Sequence, residues 1–273
     1  MTPDSDLGLS KRTEPHVNPQ TGSIKDKIFK SPGYATDLKL SPEELDVFRR
    51  AIDAQWLSAI ASEYPQHVET FKKHGLAEYH KFAHLVNHGK LWAKEHRLLP
   101  QEDVERISAL PFMGALRQAF GEFSVSDVVY GNTIVEGRQE VYWRIVRPEE
   151  PGDVGPIHAD KWFHNVLGSG YGMFPPGVQT VKIWIPIYCE PGKNGLIVVP
   201  ESHTREWRYE YVDKGGYQKP EIREDIDTLG GVLVPTDPGT LLMFNERLLH
   251  GGALNKGSMT RVSTEITMVF KPH

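Results

Sequence analysis

The second half of the chain restricts the fold most, because it consists of short strand-like segments joined by turns, with no helical segment between them. These segments are rich in Val, Ile, Tyr and Trp and cover residues 126–135, 140–147, 180–188, 196–199, 231–234, 240–244 and 261–270. Short strands that follow one another in this way favour an antiparallel sandwich or jelly roll. We therefore expect a mainly β fold with added α-helices.

Residues 180–188 form the clearest predicted strand, because its two faces differ in polarity. One face carries Val181, Ile183, Ile185 and Ile187, and the other carries Lys182, Trp184 and Tyr188. Asn194-Gly195 is typical of a β-hairpin turn and leads into residues 196–199. The aliphatic face is expected to pack in the core, and the second face is expected to line the barrel or to lie at the solvent edge.

The first half of the chain is predicted to be helical and to pack outside one sheet. Ser41-Pro42-Glu43-Glu44 is a capping box that starts a helix. Further helical regions are predicted at 77–96 and at 101–120, the latter broken before Pro111. Residues 1–37 are expected to be a polar N-terminal arm. Residues 38–273 are expected to be a single domain, helical over 38–120 and β-structured over 121–273.

Composition excludes several classes of protein. A formal net charge of -5 and the lack of a long basic run argue against a nucleic-acid partner. Cys189 is the only cysteine, so an intrachain disulfide or a cysteine-based metal cluster is excluded. No apolar stretch reaches the length of a transmembrane helix. We expect a cytoplasmic protein.

The residues with metal-binding chemistry are His158-Ala159-Asp160 and His250. Residues two apart on a strand point to the same side, so His158 and Asp160 can hold one ion. Alone, this pair is equally explained by a His–Asp hydrogen bond. With His250 it makes two imidazoles and one carboxylate, the facial triad of non-haem Fe(II) oxygenases. Arg261 and Ser263, on one face of the last strand beside Glu265, suit a carboxylate ligand.

The pattern His158-x-Asp160, His250 and Arg261-x-Ser263 resembles the Fe(II)/2-oxoglutarate-dependent dioxygenases, in particular the phytanoyl-CoA dioxygenase-like branch. The turn at 199–203 resembles that branch's Pro-Gly-Ser-His turn, with Glu201 in place of Gly. Asp237-Pro238-Gly239 and the following strand resemble the approach to the distal histidine. The resemblance covers residues 141–270, about half of the chain.

This resemblance implies a double-stranded β-helix, which is a jelly-roll or cupin-like fold. It implies that His158, Asp160 and His250 bind Fe(II), and that Arg261, assisted by Ser263, binds the distal carboxylate of the cosubstrate 2-oxoglutarate. It also implies that dioxygen is consumed, that 2-oxoglutarate becomes succinate and carbon dioxide, and that a substrate C–H bond is hydroxylated. Halogenating relatives lack the carboxylate ligand, so Asp160 favours hydroxylation or another oxidation of the same kind.

Candidate substrate-binding residues lie on or beside the strands around the proposed iron site: Lys182, Arg144, Lys161 and Trp184. Their cations favour a small polar or anionic substrate, such as a sugar acid, an amino acid or a phosphonate derivative. An acyl-CoA is the alternative that the branch itself offers. Residues 153–162 and 182–190 also resemble, more loosely, bacterial hydroxylases of the acidic sugar Kdo (3-deoxy-D-manno-oct-2-ulosonic acid).

Several features leave alternatives open. The Gly-rich segment 163–178 is expected to close over the substrate. The excursion at 206–226 is interpreted as a substrate-recognition element, a surface elaboration or a homodimer contact. His80, His84 and His88 recur at helical spacing and could bind a second metal, but they lack a carboxylate partner, so ordinary helix histidines are favoured. Rival functions are a non-catalytic cupin-like binding module and a metal-dependent hydrolase or isomerase on the same barrel.

Overall fold

The computed structural model describes residues 22–130, 133–166, 178–213 and 218–270. Its α-helices are α1 (Ile24–Phe29), α2 (Pro42–Glu63), α3 (Val68–His74), α4 (Tyr79–Phe82), α5 (His88–Leu91), α6 (Gln101–Ser108), α7 (Pro111–Phe120) and α8 (Asp160–Val166). Its strands are β1 (Tyr34–Lys39), β2 (Ser124–Val125), β3 (Asp127–Tyr130), β4 (Thr133–Gln139), β5 (Val141–Val146), β6 (Gln179–Tyr188), β7 (Leu196–Val198), β8 (Tyr209–Asp213), β9 (Gln218–Ile222), β10 (Val232–Leu233), β11 (Thr240–Asn245), β12 (His250–Gly252) and β13 (Arg261–Phe270).

The strands form two main antiparallel sheets and two hairpins. The large sheet has the order β1-β11-β6-β13-β2, and β5 also pairs with β13. The small sheet has the order β10-β7-β12, and the hairpins are β3–β4 and β8–β9. This mixture of antiparallel sheets with an outer helical layer confirms the predicted fold class.

The two faces of the large sheet pack against different partners. The aliphatic side chains of β6 belong to one buried cluster with Phe48, Ile52 and Trp56 of α2. On the opposite face, Trp184 belongs to a second buried cluster, with Val198 of the small sheet. The alternation in β6 therefore separates the helical layer from the space between the two sheets, where Lys182 and Trp184 lie.

The N-terminal segment differs from the predicted arm over residues 1–37. β1 pairs with β11 as an edge strand of the large sheet, and Ala35 is fully buried. Before it, α1 begins after Ser23, whose side chain accepts a hydrogen bond from the Asp26 amide. Ala35 is the buried residue of β1, whereas Thr36, Asp37 and Lys39 are exposed, as expected for an edge strand. Residues 1–21 lie outside the described residues.

Tyr188 was expected to share a face with Lys182 and Trp184, but it lies on the helical side. Tyr188 pairs with Val262 and Pro186 pairs with Ser263, so β6 has one extra residue at this point. Such a β-bulge reverses the side to which the following side chain points. The Tyr188 ring consequently lies 5.0 Å from the guanidinium of Arg49 in α2.

Other predicted elements are interrupted in the structure. The helical region 77–96 consists of α4, α5 and short 3-10 turns, because the backbone of Val86 is extended. Residues 126–135 were predicted as one strand but are divided between β3 and β4, which form a hairpin; residues 131–132 lie outside the described residues. The helix predicted over 101–120 is divided into α6 and α7 at Pro111, as expected.

Asn194-Gly195 connects the two sheets and does not form the predicted hairpin. β6 belongs to the large sheet, whereas β7 pairs with β10 and β12 in the small one. Asn194 is fully buried and donates a hydrogen bond to the Asn255 side chain at 2.9 Å. The turn signal is real, since Gly195 has a φ of 139°. The pairing partners of β7 are β10 and β12, which come much later in the sequence, so the turn signal alone does not predict them.

Glu201 occupies the position where the related turn has glycine, and its φ is 62°. The left-handed region disfavours residues other than glycine. The Ser31 hydroxyl donates a hydrogen bond to the Glu201 carboxylate at 2.8 Å, and the Glu201 amide donates to the Pro32 carbonyl at 2.7 Å. These two contacts hold β1's leading segment against the turn.

We expect Glu201→Val to be less stable than Glu201→Gly. Both variants lose the bond to Ser31, but only valine carries a branched Cβ into the left-handed region. The difference in free energy of unfolding should be about 1–2 kcal/mol, as measured by urea denaturation. Equal stability of the two variants would contradict the left-handed conformation of this residue.

Asp53 of α2 is a half-buried carboxyl on the helical side of β6. Burial raises the pKa of Asp53 to about 6, although the Tyr188 hydroxyl and the charge of Arg49 oppose the shift. Because the folded protein holds this proton more tightly than the unfolded chain, stability from Asp53 is present below about pH 4 and is lost as the pH rises through 6.

We expect Asp53→Asn to be more stable than the wild type at pH 7, by about 1 kcal/mol after allowing for partial solvation of the carboxyl. The difference should shrink as the pH falls from 6.5 to 4. Urea denaturation across this range measures it, with Glu69→Gln, an exposed acid of α3, as the control. A difference that does not vary with pH would be the contrary result.

Two further expectations are limited by what the structure describes. Of the Gly-rich segment predicted to close over a substrate, residues 167–177 lie outside the described residues. Among the helices that the structure does describe, none combines the length and apolar character needed to cross a membrane.

Candidate metal centre

His158 and His250 are brought together by a two-residue backbone bridge. Each backbone amide donates to the other residue's carbonyl at 2.9 Å, and the two imidazole centroids are 4.5 Å apart. Gly251 permits this approach, because a Cβ there would lie 3.1 Å from the Ile157 nitrogen. The glycine pair after His250 is the sequence signal for this close contact.

Asp160 reaches the same point from the first residue of α8. Its Oδ1 lies 3.6 Å from His158 Nε2 and 3.7 Å from His250 Nε2. The ligand atoms of the three residues all lie within 4.8 Å of one another. His158 and Asp160 were expected on one strand. Instead, His158 lies in the backbone bridge and Asp160 starts α8, and this arrangement also directs both side chains to one point. Within the described residues, no other trio of His, Cys, Asp or Glu has this geometry.

The backbone fixes which nitrogen of each imidazole can bind an ion. His158 Nδ1 lies 2.8 Å from the Pro156 carbonyl, and His250 Nδ1 lies 2.9 Å from the Leu248 carbonyl. A carbonyl only accepts hydrogen bonds, so each Nδ1 carries the proton and donates it. Both Nε2 atoms then present lone pairs towards Asp160. This is the tautomer and orientation that metal-ligating histidines need.

The charge states of the site also suit a cation. Burial disfavours the charged form of Asp160, but the Lys182 ammonium and the neighbouring His250 and His158 together outweigh it, and the pKa of Asp160 lies far below its usual value. The Lys182 Nζ is 3.8 Å from Asp160 Oδ2. Burial lowers the pKa of His250 to about 4, so its imidazole is neutral at pH 7. A neutral imidazole and a carboxylate are ligating forms.

Arg261 and Ser263 lie side by side on β13 and are almost completely buried. Burial, followed by repulsion from Arg144, lowers the pKa of Arg261 to about 10, so the guanidinium remains charged at pH 7. It lies 5.6 Å from the Trp184 ring centroid and donates a 3.3 Å bond to the Gly195 carbonyl. Within the described part of the chain, Arg261 Nε and Ser263 Oγ lack hydrogen-bond partners. Buried donors without partners are costly, and a carboxylate in the cavity would satisfy Arg261, which lines it, whereas Ser263 is not among the described lining residues.

The substrate-binding candidates have different surroundings. Arg144 Nε donates to Glu265 at 3.0 Å, and Lys182 Nζ lies 4.0 Å from the same carboxylate. Burial is offset mainly by Arg144, so the pKa of Glu265 is lowered. Lys161 is half exposed, pairs with Glu246 at 3.1 Å and is not among the described residues that line the central cavity. Lys182, Trp184 and Arg144 do line it.

The cavity has a volume of about 560 Å³ and lies between the two sheets. Its wall includes the His158, Asp160 and His250 side chains together with Arg261. This volume is in the range of small-molecule sites.

Sequence reasoning missed several lining residues. Phe244 lies against the His250 ring, with centroids 4.4 Å apart. Its position at the end of a predicted strand, six residues before His250, was the sequence signal that could have identified it. Gln218, Lys219 and Pro220 of β9 reach the cavity from the excursion at 206–226, for which substrate recognition was one of three open interpretations.

The helix histidines are not brought together. His80 Nδ1 lies 3.0 Å from the Thr260 hydroxyl, and His88 Nδ1 lies 2.8 Å from the Tyr79 hydroxyl. α4 and α5 are separate helices, so the four-residue spacing does not place these histidines on one helix face. They are ordinary hydrogen-bonded histidines.

Comparison with known proteins identifies similar molecules. Residues 29–263 match the family model described as Phytanoyl-CoA dioxygenase (PhyH). No protein of curated function matches the chain in sequence. The crystal structure of EctD from S. alaskensis in its apoform is similar with a TM-score of 0.52 at 15% identity, covering 91% of this chain and 76% of that chain.

Two further structures of EctD from S. alaskensis give the same result. The structure with 2-oxoglutarate and 5-hydroxyectoine has a TM-score of 0.51 at 15% identity, and the structure with bound Fe has a TM-score of 0.51 at 14% identity. Each comparison covers 93% of this chain and 79% of the other chain. At such identities the likeness concerns the fold, which agrees with the jelly roll that the sequence predicts.

Proposed function

The chain belongs to the phytanoyl-CoA dioxygenase family, and from this we propose that it is a non-haem Fe(II)/2-oxoglutarate-dependent oxygenase. Its proposed reaction hydroxylates an unactivated C–H bond of a small polar or anionic metabolite. For each substrate molecule hydroxylated, one dioxygen and one 2-oxoglutarate are consumed, and one succinate and one carbon dioxide are formed. EctD, which shares the fold, is known with bound Fe and with 2-oxoglutarate.

The observation that carries this proposal is the convergence of His158, Asp160 and His250 beside a buried guanidinium. Two imidazoles and one carboxylate would hold one face of Fe(II) and leave the other positions for ligands. Arg261, with Ser263, would bind the distal carboxylate of 2-oxoglutarate. The lack of partners for Arg261 Nε and Ser263 Oγ within the described residues supports this fit.

Fe(II), when bound, supplies the redox chemistry that couples decarboxylation of 2-oxoglutarate to oxidation of the substrate by dioxygen. The chain's own groups would orient the reactants. The Pro156 and Leu248 carbonyls hold the two imidazoles in the ligating tautomer. The apolar rings of Trp184 and Phe244 exclude water from the same cavity wall. Cys189 is buried and is not among the lining residues that the structure describes.

A coupled assay for succinate tests the function directly. We expect succinate release that requires both Fe(II) and 2-oxoglutarate and that stops when a chelator removes the metal. A metal-dependent hydrolase or isomerase would turn over without 2-oxoglutarate. A cupin-like binding module would release no succinate under any of these conditions, and that result would overturn the proposal. The lone thiol supports placing the activity in the cytoplasm.

A further inference from the structure

The hairpin of β8 and β9 is fixed to the helix that carries Asp160. The Trp162 ring of α8 is stacked on Tyr209 of β8, with centroids 4.5 Å apart and planes 14° from parallel. The Tyr211 hydroxyl donates to the Trp162 carbonyl at 3.1 Å. Ile222 of β9 packs on the buried cluster that also contains Trp162. The position of the hairpin is therefore set relative to the metal centre.

This hairpin contributes a cation to the cavity. Lys219 lines the cavity and is exposed, so it lies where the cavity opens to solvent. Pro220 beside it is buried, which ties the strand down at that point. An ammonium at the opening can meet an anionic group of a ligand without the cost of burying an unpaired charge.

The other lining cations are already committed. Lys94 pairs with Glu140 at 2.8 Å, and Arg144 pairs with Glu265 at 3.0 Å. Lys182 lies between Asp160 and Glu265, and Arg261 is assigned to 2-oxoglutarate by the proposed function.

The arginines that the structure describes on the same excursion are also paired. Arg208 pairs with Glu224 at 3.4 Å, and Arg223 pairs with Glu210. Across the ranges that the structure describes, Lys219 has no acidic partner within ion-pair distance. An unpaired cation is what distinguishes this residue from its neighbours.

We propose that Lys219 is a specificity-determining residue that binds an anionic group of the substrate, which assigns the substrate to small carboxylates and related anions. This inference rests on the proposed function and names the substrate class for that same cavity. The substrate's anionic end would face the hairpin, and the C–H bond to be oxidised would face His158 and His250. Arg144 and Lys182 would then maintain the charge balance around Glu265 and leave recognition of the anion to Lys219.

The test compares each of a panel of sugar acids and amino acids with its own primary amide, which keeps the carbon skeleton and loses the negative charge. Binding to the full chain is measured by calorimetry under anaerobic conditions with Fe(II) and 2-oxoglutarate present. We expect the wild type to prefer acids over amides. We expect Lys219→Gln to bind the preferred acid about 10- to 100-fold more weakly, as for loss of one charge-assisted hydrogen bond, with amide binding unchanged.

Two variants sharpen the result. Lys219→Arg should restore most of the acid preference, because it restores the charge. Arg208→Gln removes a cation from the same excursion outside the cavity lining and should bind acids like the wild type. No acid preference in the wild type, or an unchanged preference in Lys219→Gln, would overturn the inference. Succinate release is measured separately, so failure of the proposed oxygenase activity is distinguishable from failure of anion recognition.

Discussion

Asp160→Ala is expected to abolish 2-oxoglutarate turnover. The Asp160 carboxylate is the only anionic member of the trio, and its Oδ1 lies within 3.7 Å of both imidazole Nε2 atoms. Loss of an outer partner of a metal ligand typically costs 10–100-fold in metal affinity or activity. Loss of the ligand itself should cost more than about 100-fold. Fe(II)-dependent succinate release and Fe(II) binding at equilibrium measure the two effects.

The control for this variant is Asp237→Ala, which removes an exposed acid that pairs only with Lys39 among the described residues. It should leave succinate release and metal binding at wild-type levels. The metal-free wild type and Asp160→Ala should both unfold in one cooperative thermal transition, so that a loss of activity is not a loss of the fold. Full activity in Asp160→Ala would remove the metal assignment.

The parts of the fold that were predicted from the sequence are those set by local patterns. The capping box at Ser41 marks the start of α2, and Pro111 marks the start of α7, because both signals act within one helical turn. The alternation in residues 180–188 predicted a strand with two differently packed faces. The fold class followed from the series of such strands.

The parts that failed depend on contacts between distant segments. β1 is largely polar and is held in the sheet by pairing with β11, some two hundred residues later. The bulge that turns Tyr188 to the helical side exists because of pairing with β13. Neither pairing leaves a mark in the local pattern, so residues 22–37 of the arm and the face of Tyr188 were wrongly predicted.

The candidate site shows the same division. The residue types of the trio and of Arg261-x-Ser263 could be identified from the sequence, because their chemistry limits the choice. The reason for the His158-x-Asp160 spacing could not, since a backbone bridge and a helix start replace the expected strand. Charge pairing was equally hidden: Arg144 and Glu265 are 121 residues apart. Sequence alone therefore suggested cations for recognition that the structure finds paired.

Arg261→Ala is expected to raise the 2-oxoglutarate concentration required for activity by a large factor. The guanidinium is almost completely buried, so a carboxylate bound to it would be shielded from water. Truncating one partner of such a pair costs about 2–5 kcal/mol, which corresponds to a ~30- to ~4,000-fold rise. The KM for 2-oxoglutarate measures the change, and Fe(II) binding at equilibrium should stay near the wild-type value because Arg261 is not a member of the trio.

Graded variants separate a direct role of Arg261 from a loss of packing against Trp184. Arg261→Lys keeps the charge but loses the planar fork, so its KM should lie between those of the wild type and Arg261→Ala. Ser263→Ala removes one hydroxyl bond and should raise the KM only about fivefold, as for a contribution near 1 kcal/mol. If Arg261→Ala left the KM for 2-oxoglutarate unchanged, another cation of the cavity would have to bind the distal carboxylate. Because Arg144, Lys94 and Lys182 all lie beside acids, Lys219 would then be the first residue to substitute in its place.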